Sequence, residues 1–436
     1  MNIIGWRCAT CDAELPIGTV FPWRCPNSSS ADRHHVLRAV GATSPIADVV
    51  DDLNPFVAFD AGLAWAAFAD AHGMDRAARA ALVRDLDAQV ERVAGTGFRV
   101  TPFARSAELS DALAFDRGGG VWVKDDTGNV AGSQKARHLF TILLHLRAAE
   151  LLGLAPWASA AQRPRLAISS CGNAAIAAST LAAAVGWPID VFVPPWAGQA
   201  VVVRLHALGA HVQVCPRRPA DPPGDPCIHR FREAVAAGAV PFGVQGSENA
   251  LCLDGGRTLG WEILAAAAAQ GVHLDRVFVQ VGGGAFAACM GAALQSVFPP
   301  PALVAVQAAG CAPLAGAWGR ARALPGGPLT AAQHWAECMH VWGSEGEPEP
   351  TSVADGILDD ETYDWISIVD GLVATGGDVV VAPEAAMVEA HAVLAASTGI
   401  DATATGTAGL AGVIALRTEI GDGERIAIVA SGITRH

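Results

Sequence analysis

Residues 275–297 read DRVFVQVGGGAFAACMGAALQSV. A run rich in β-branched and aromatic residues stops at Gly282, Gly283 and Gly284, and small apolar residues then continue at helical length. The first part reads as a strand buried on both faces and the last as a helix, with only glycines to turn the chain between them. A strand that feeds a helix through so short a turn belongs to a βαβ unit, and such units build parallel sheets. The alternation recurs along the chain. RLAISS (165–170) precedes NAAIAASTLAAAVG (173–186), and PIDVFVP (188–194) precedes AVVVRLHALGA (200–210). HVQVCP (211–216), ALVAVQAAG (302–310) and GERIAIVASG (423–432) are further apolar strands. The fold class is α/β.

At 436 residues the chain exceeds a single hydrophobic core, so two domains are expected. A formal net charge of −14 argues against nucleic acid or an anionic membrane as partner. It leaves room for a small anion, which local cations and backbone amides can capture. The N-terminus has no basic region followed by an apolar core, and the ten cysteines form no dense framework. Both features predict a cytoplasmic protein with reduced thiols. The uncharged stretch 277–319 is broken by GGG and PPP, which suits a buried sheet and its turns rather than a membrane span. The stretches 215–226 and 326–352 are rich in Pro and Gly and read as loops.

The first forty residues form a separate extension. Cys8-x-x-Cys11 is half of a zinc ribbon and Cys25 offers a third ligand, but no second Cys-x-x-Cys follows. A fourth ligand would have to be His34 or His35. The extension is therefore expected to be a degenerate ribbon, or plain packing, without a metal.

In parallel sheets ligands sit beyond the carboxyl ends of the strands, where loops lead into helices. Four such junctions carry unusual chemistry. In VGGGAFA (281–287) the glycines let backbone N–H groups face inward at a helix N-terminus, which makes a phosphate cradle. The same residues satisfy the dinucleotide pattern Gly282-x-Gly284-x-x-Ala287. That reading needs an acidic residue about twenty positions on, at the end of the next strand, and that strand ends in Gln307 and small residues. In SSCGNAA (169–175), Ser170, Gly172 and Asn173 open a helix, either as a plain cap or as donors to a ligand. VASGITR (429–435) ends the last strand at Ser431. NVAGSQKARH (129–138) presents Lys135 behind a Gly-Ser turn. Together they offer an amine for an aldehyde, an amide for a phenolic oxygen, a phosphate cradle and a hydroxyl for a ring nitrogen. Pyridoxal 5'-phosphate needs all four.

The order and spacing of these motifs resemble the fold type II pyridoxal-phosphate enzymes, the threonine synthase, threonine dehydratase and cysteine synthase group. KDDTGNVAGSQKAR (124–137) is similar to that family's lysine segment, SSCGNAA to its asparagine loop and VGGGAF to its tetraglycine loop, with Ala285 for the fourth glycine. The resemblance covers residues from about 100 to 436. It implies two parallel-sheet, three-layer domains of the tryptophan synthase β type with the cofactor between them. The larger would comprise 41–138 and 263–436, the inserted smaller one 139–262, and 1–40 the short extension.

By position, the resemblance makes Lys135 the amine that receives the cofactor and moves the α-proton, with Ser133 beside it for positioning or proton transfer. Asn173 would bond the 3′-oxygen, Gly282, Gly283, Gly284 and Ala285 the phosphate, and Ser431 the ring nitrogen. Ser170 and Gly172 would receive the substrate carboxylate. A small amino acid is the implied substrate and a homodimer the implied assembly.

Length, the N-terminal cysteines and QAAGCAPL (307–314) look most like threonine synthase. That activity requires a second phosphate clamp, for which Lys124 and Arg137 are the candidates, with His138 and Arg257 behind them. Gln134 and Ala136 depart from the threonine synthase pattern, and Ala136-Arg137 is closer to the dehydratases. The expected reaction is elimination or replacement on a β-hydroxy or phospho-activated amino acid. Dehydratase-type ammonia loss and cysteine synthase-type β-replacement are the alternatives. A dinucleotide oxidoreductase and a non-catalytic relative stand further off.

Overall fold

The computed structural model describes residues 3–41, 46–341 and 350–435. Its strands form three sheets. A small antiparallel sheet at the N-terminus has the order β2 (Glu14–Pro16), β1 (Ile3–Cys8), β3 (Leu37–Gly41). A six-stranded sheet runs β12 (Asp378–Ala382), β11 (Ala302–Ala308), β10 (Arg276–Gln280), β13 (Arg425–Ala430), β5 (Gly120–Asp125), β4 (Phe103–Ser106). All its pairings are parallel except β4 against β5. A four-stranded sheet runs β8 (His211–Val214), β7 (Ile189–Val193), β6 (Leu166–Ser169), β9 (Val240–Pro241), parallel throughout.

The inner strands of both large sheets are buried along their length, as runs with apolar residues on both faces must be. The α/β class and its parallel sheets are those expected from the alternating strands and helices. Of the 326–352 stretch, 342–349 lie outside the described residues. Its described part is not all loop: Pro328–His334 forms a 3-10 helix and Trp335–Cys338 a short α-helix.

The chain divides into two compact units. One holds residues 1–99, 129–258 and 435–436, and the other 100–128 and 259–434. Segment 41–99 and the stretch 129–138, expected with the larger domain, cluster with the four-stranded sheet instead. The reason is aromatic packing. Phe98 stacks on Phe140 at 4.3 Å, and Phe56 meets both rings edge-on at 5.2 and 4.9 Å. Such rings bury large apolar area and hold the early helices to the Lys135–Leu151 helix. The Arg76–Ala94 helix is closed at both ends, by Asp75 accepting from Ala78 N–H at 2.8 Å and by Gly95 at φ 78°.

The Lys135–Leu151 helix also lies unusually close to the start of the Cys252–Ala269 helix. A Cβ on Gly255 would meet Thr141 Oγ1 at 1.9 Å and the Arg137 carbonyl oxygen at 2.1 Å, so only glycine fits there. Asp254 beside it accepts from the backbone N–H groups of Ala64 and Trp65 at 2.9 and 3.2 Å. These contacts fix the helix that begins at Lys135.

Candidate active site

In the six-stranded sheet the chain passes from β10 outward to β11 and β12, then returns to place β13 on the other side of β10. The strand order therefore reverses between β10 and β13, the switch point where open parallel sheets leave a crevice. Gly282–Gly284 follow β10, and Ser431 ends the run of β13 beside it. Gly284 has φ 103° and caps the Ala285–Leu294 helix, whose first amides have no helical acceptor. The loop is packed tightly from behind. A Cβ on Gly282 would meet Asp359 Oδ2 at 2.2 Å, one on Gly283 the Tyr363 ring at 3.0 Å, and one on Gly284 Thr362 Cγ2 at 2.8 Å. Asp364 N–H donates to the Gly283 carbonyl at 3.1 Å. Side chains larger than hydrogen would push this loop off its support.

Ser431 is 5% exposed, and its N–H donates to the Gly406 carbonyl at 3.4 Å. A Cβ on Gly406 would strike the Ser431 carbonyl at 1.7 Å, so this glycine lets the two segments touch. Gln280, the last residue of β10, donates through Nε2 to the carbonyls of Gly406 and Val429 at 3.3 and 3.5 Å. Its Oε1 is buried with no hydrogen-bond partner among the described residues. Sequence reasoning passed over Gln280, because a single Gln inside a strand run carries no spacing signal.

The four-stranded sheet repeats the logic in the other unit. The chain leaves β6 toward β7 and β8 and later sets β9 on the opposite side of β6. The Ser170–Gly172 loop follows β6 at that reversal and opens the Asn173–Ala184 helix. Gly172 N–H donates to Ser170 Oγ at 3.3 Å, which folds the loop back on itself. Cys171 in the loop is exposed.

Lys135 is the first residue of its helix and is half-buried. Before it, Ala131 at φ 57° and Gly132 at φ 67° turn the chain through two successive left-handed residues. For alanine that costs roughly 1–2 kcal/mol, which the surroundings must repay. Ser133 Oγ, 1% exposed, has no hydrogen-bond partner among the described residues. One turn beyond Lys135, His138 donates from Nδ1 to the Cys252 carbonyl at 2.7 Å. Burial, and then the positive charge of Lys135, push His138 down to about 3. It is a neutral imidazole with its proton on Nδ1.

Arg435 is a further residue that the motifs did not reveal. Its guanidinium donates to Asn173 Oδ1 and to the Ala131 carbonyl, so it joins the asparagine loop to the lysine turn. No signal in ITRH marks it, since the partners are 262 and 304 positions away.

The two cations expected to clamp a substrate phosphate are occupied elsewhere. Lys124 is fully buried, and its Nζ donates to Glu262 Oε2 and to the Thr101 carbonyl. Arg137 is fully buried and donates to Thr258 Oγ1 at 3.2 Å and to the Arg99 carbonyl at 3.4 Å. Arg257 pairs with Asp254 and donates to the Gly62 carbonyl. Lys124 and Arg137 are thus both desolvated against partners of their own unit rather than presented to solvent.

The residues present fit pyridoxal phosphate. One unit carries a glycine cradle at a helix N-terminus and a neutral strand-end serine, and the other carries Lys135 two residues after the buried, unpartnered Ser133 hydroxyl; these are the donor types that cofactor asks for. The chain belongs to the pyridoxal-phosphate dependent enzyme family, whose sequence model matches residues 95–432. Pyridoxal phosphate is its cofactor. No curated protein sequence matches the chain significantly.

Solved structures share the fold. A T.th. threonine deaminase is 22% identical, with 81% of this chain and 98% of that one covered at a TM-score of 0.58. A maize serine racemase is 19% identical, covering 82% and 93% at 0.57. A diaminopropionate ammonia lyase from Escherichia coli is 15% identical, covering 81% and 88% at 0.61. Among the described residues no helix is long and apolar enough to cross a membrane.

Proposed function

We propose that the chain catalyses elimination from a small amino acid that carries a hydroxyl or comparable leaving group on its β-carbon. Bound pyridoxal phosphate supplies an electron sink for the substrate's α-carbon. Lys135 holds the cofactor aldehyde and moves the α-proton. Ser133, whose hydroxyl is buried without a partner among the described residues, steers that proton. Ser170 and the Gly172 amide receive the substrate carboxylate, and the Gly282–Ala285 loop holds the cofactor phosphate on backbone N–H groups. Asn173 bonds the 3′-oxygen.

The observation that carries elimination is Ser431. At this reversal of strand order, β13 is followed directly by a buried neutral hydroxyl rather than a carboxylate. Facing the ring nitrogen, this hydroxyl would donate to it and leave it unprotonated, which would make the bound group a weaker sink. With such a sink, departure of a β-substituent would be favoured over transamination. The fates of Lys124 and Arg137 count against a phosphate-bearing substrate. The names of the structural relatives, a threonine deaminase and an ammonia lyase among them, are in keeping with elimination.

A second reading rests on Arg435. Its guanidinium beside Asn173 would suit a substrate with an additional anionic group, which keeps a threonine synthase-like reaction on a phospho-activated amino acid in play. One panel separates the two. Ketoacid and ammonia release from threonine and serine supports the first reading. Phosphate release from phosphohomoserine, with no ketoacid from either hydroxy amino acid, replaces it with the second. The homodimer that the family resemblance implies is tested on the same material by light scattering.

A further inference from the structure

The N-terminal extension holds a cluster that the reaction does not use. Cys8 ends β1, Cys11 sits in the turn after it, Cys25 lies in WRCPN, and His35 stands two residues before β3. Their ligand atoms all lie within 4.8 Å of one another. Cys8 Sγ is 3.4 Å from His35 Nδ1, and Cys11 Sγ is 3.5 Å from Cys25 Sγ. A tetrahedral zinc ion with Zn–S about 2.3 Å and Zn–N about 2.1 Å has ligand–ligand edges of about 3.6–3.8 Å. The two short edges already approach that figure.

Second, the surroundings are built for thiolates. Thr10 N–H points at Cys8 Sγ at 3.4 Å, Asn27 N–H at Cys25 Sγ at 3.4 Å, and Asn27 Nδ2 at Cys11 Sγ at 3.3 Å. Donors aimed at each of three sulfurs stabilise negative charge there. His35 Nε2 meets Asp32 Oδ2 at 3.1 Å, which sets the tautomer and leaves the Nδ1 lone pair facing Cys8. A carboxylate behind a ligating imidazole is the usual outer partner of a metal histidine. His34, the other candidate, has its backbone carbonyl held by Thr10 Oγ1 and is not in the cluster.

We propose that Cys8, Cys11, Cys25 and His35 bind one zinc ion, and that this ion staples the Gly18–Arg24 strap to the body of its unit. Three thiolates and an imidazole select zinc over magnesium or calcium, which prefer oxygen. Between Cys11 and Cys25 the chain touches three other segments of its unit. The Gly18 carbonyl meets His72 Nε2 at 3.0 Å and the Val20 carbonyl His145 Nε2 at 2.6 Å, while the Trp23 carbonyl accepts from Ala250 N–H at 2.9 Å. Arg24 forms an ion pair with Glu248. His145 belongs to the helix that starts at Lys135. The ion is thus a structural clamp beside the helix that starts at Lys135, with no part in the chemistry.

The test uses the full-length holoprotein, produced with zinc and then with cobalt in its place. Elemental analysis should return one zinc per chain, and the cobalt form should show the intense visible bands of a tetrahedral thiolate site. Cys25→Ser and His35→Ala should each lose the metal. Asp32→Asn should keep it with affinity reduced about 10–100-fold, as outer-partner changes do. Stripped wild-type protein should melt at a lower temperature and recover on adding zinc. Because a cysteine variant can fail to fold, the wild-type zinc content and cobalt spectrum decide the matter. Zinc well below one equivalent with no cobalt bands, or a Cys11–Cys25 disulfide in the native protein, would overturn the proposal.

Discussion

The chain contains two lysines, Lys124 near the end of β5 and Lys135 at the start of a helix. Both stand in the segment that resembles the lysine motif, and by charge alone they are interchangeable. Lys124 is fully buried against Glu262, itself buried, with the Thr101 N–H and hydroxyl on the same carboxylate oxygen at 3.1 and 3.4 Å. An ammonium so buried is held in an ion pair with its own carboxylate rather than facing a ligand. Lys135 is half-buried, behind a strained turn and near the buried Ser133 hydroxyl. The same side chain thus stands in two environments: one amine is committed to a buried ion pair, and the other opens a helix behind a left-handed turn.

The largest effect should come from removing the amine at the helix start. Lys135→Ala is expected to lose turnover by at least about 10⁴-fold, since covalent attachment and proton transfer vanish together. Borohydride reduction of the holoprotein followed by peptide mass mapping should place the cofactor on Lys135 alone. Label on Lys124 would reverse the comparison. Next comes the other lysine. Lys124→Met removes the ammonium that Glu262 is buried against and should cost about 3–5 kcal/mol in urea unfolding, whereas Lys124→Met with Glu262→Leu should recover part of it. A selective rise in KM for a phosphorylated substrate, with stability unchanged, would return Lys124 to the substrate.

Ser431→Asp should protonate the ring nitrogen and lower elimination by about 10²-fold, with a longer-wavelength absorbing species accumulating in stopped-flow spectra. Unchanged spectra and turnover would mean that Ser431 does not face the ring. Arg435→Ala should raise KM about tenfold while kcat changes little, the loss of one charge-assisted contact. A fall in kcat alone would make Arg435 a support for Asn173 only.

The most gradual effect is on pH. Burial holds His138 down to about 3 and His145 to about 4, while an unfolded histidine titrates near 6.5. As pH falls below about 6.5 the unfolded chain takes up protons that the folded one refuses, so stability drops progressively toward pH 4. It is fully present above that window. The urea midpoint should therefore decline between pH 7 and 5, and His138→Gln should flatten the slope. A slope unchanged by that substitution would mean that His138 is not the group responsible.

Much of the candidate site could be nominated from the sequence because its motifs are local. Glycines between a strand and a helix, a Ser or Asn opening a helix, and a lysine behind Gly-Ser announce themselves within a few residues. So do parallel strands, whose apolar runs reflect burial on both faces. These sequence features determined the α/β class and the cofactor. Pairings across long separations were decided only by the tertiary structure. Lys124 finds Glu262 138 positions away, and Arg435 reaches Asn173 262 positions away. Packing of Phe56 and Phe98 on Phe140 carried segment 41–99 to the unit of the four-stranded sheet. The short sheet of β1, β2 and β3 brought His35, and not His34, to three cysteines whose spacing alone looked incomplete. The physical reason is the same in each case. A motif is read from neighbours along the chain, but a charge or a ligand is defined by what folding sets within a few ångströms of it.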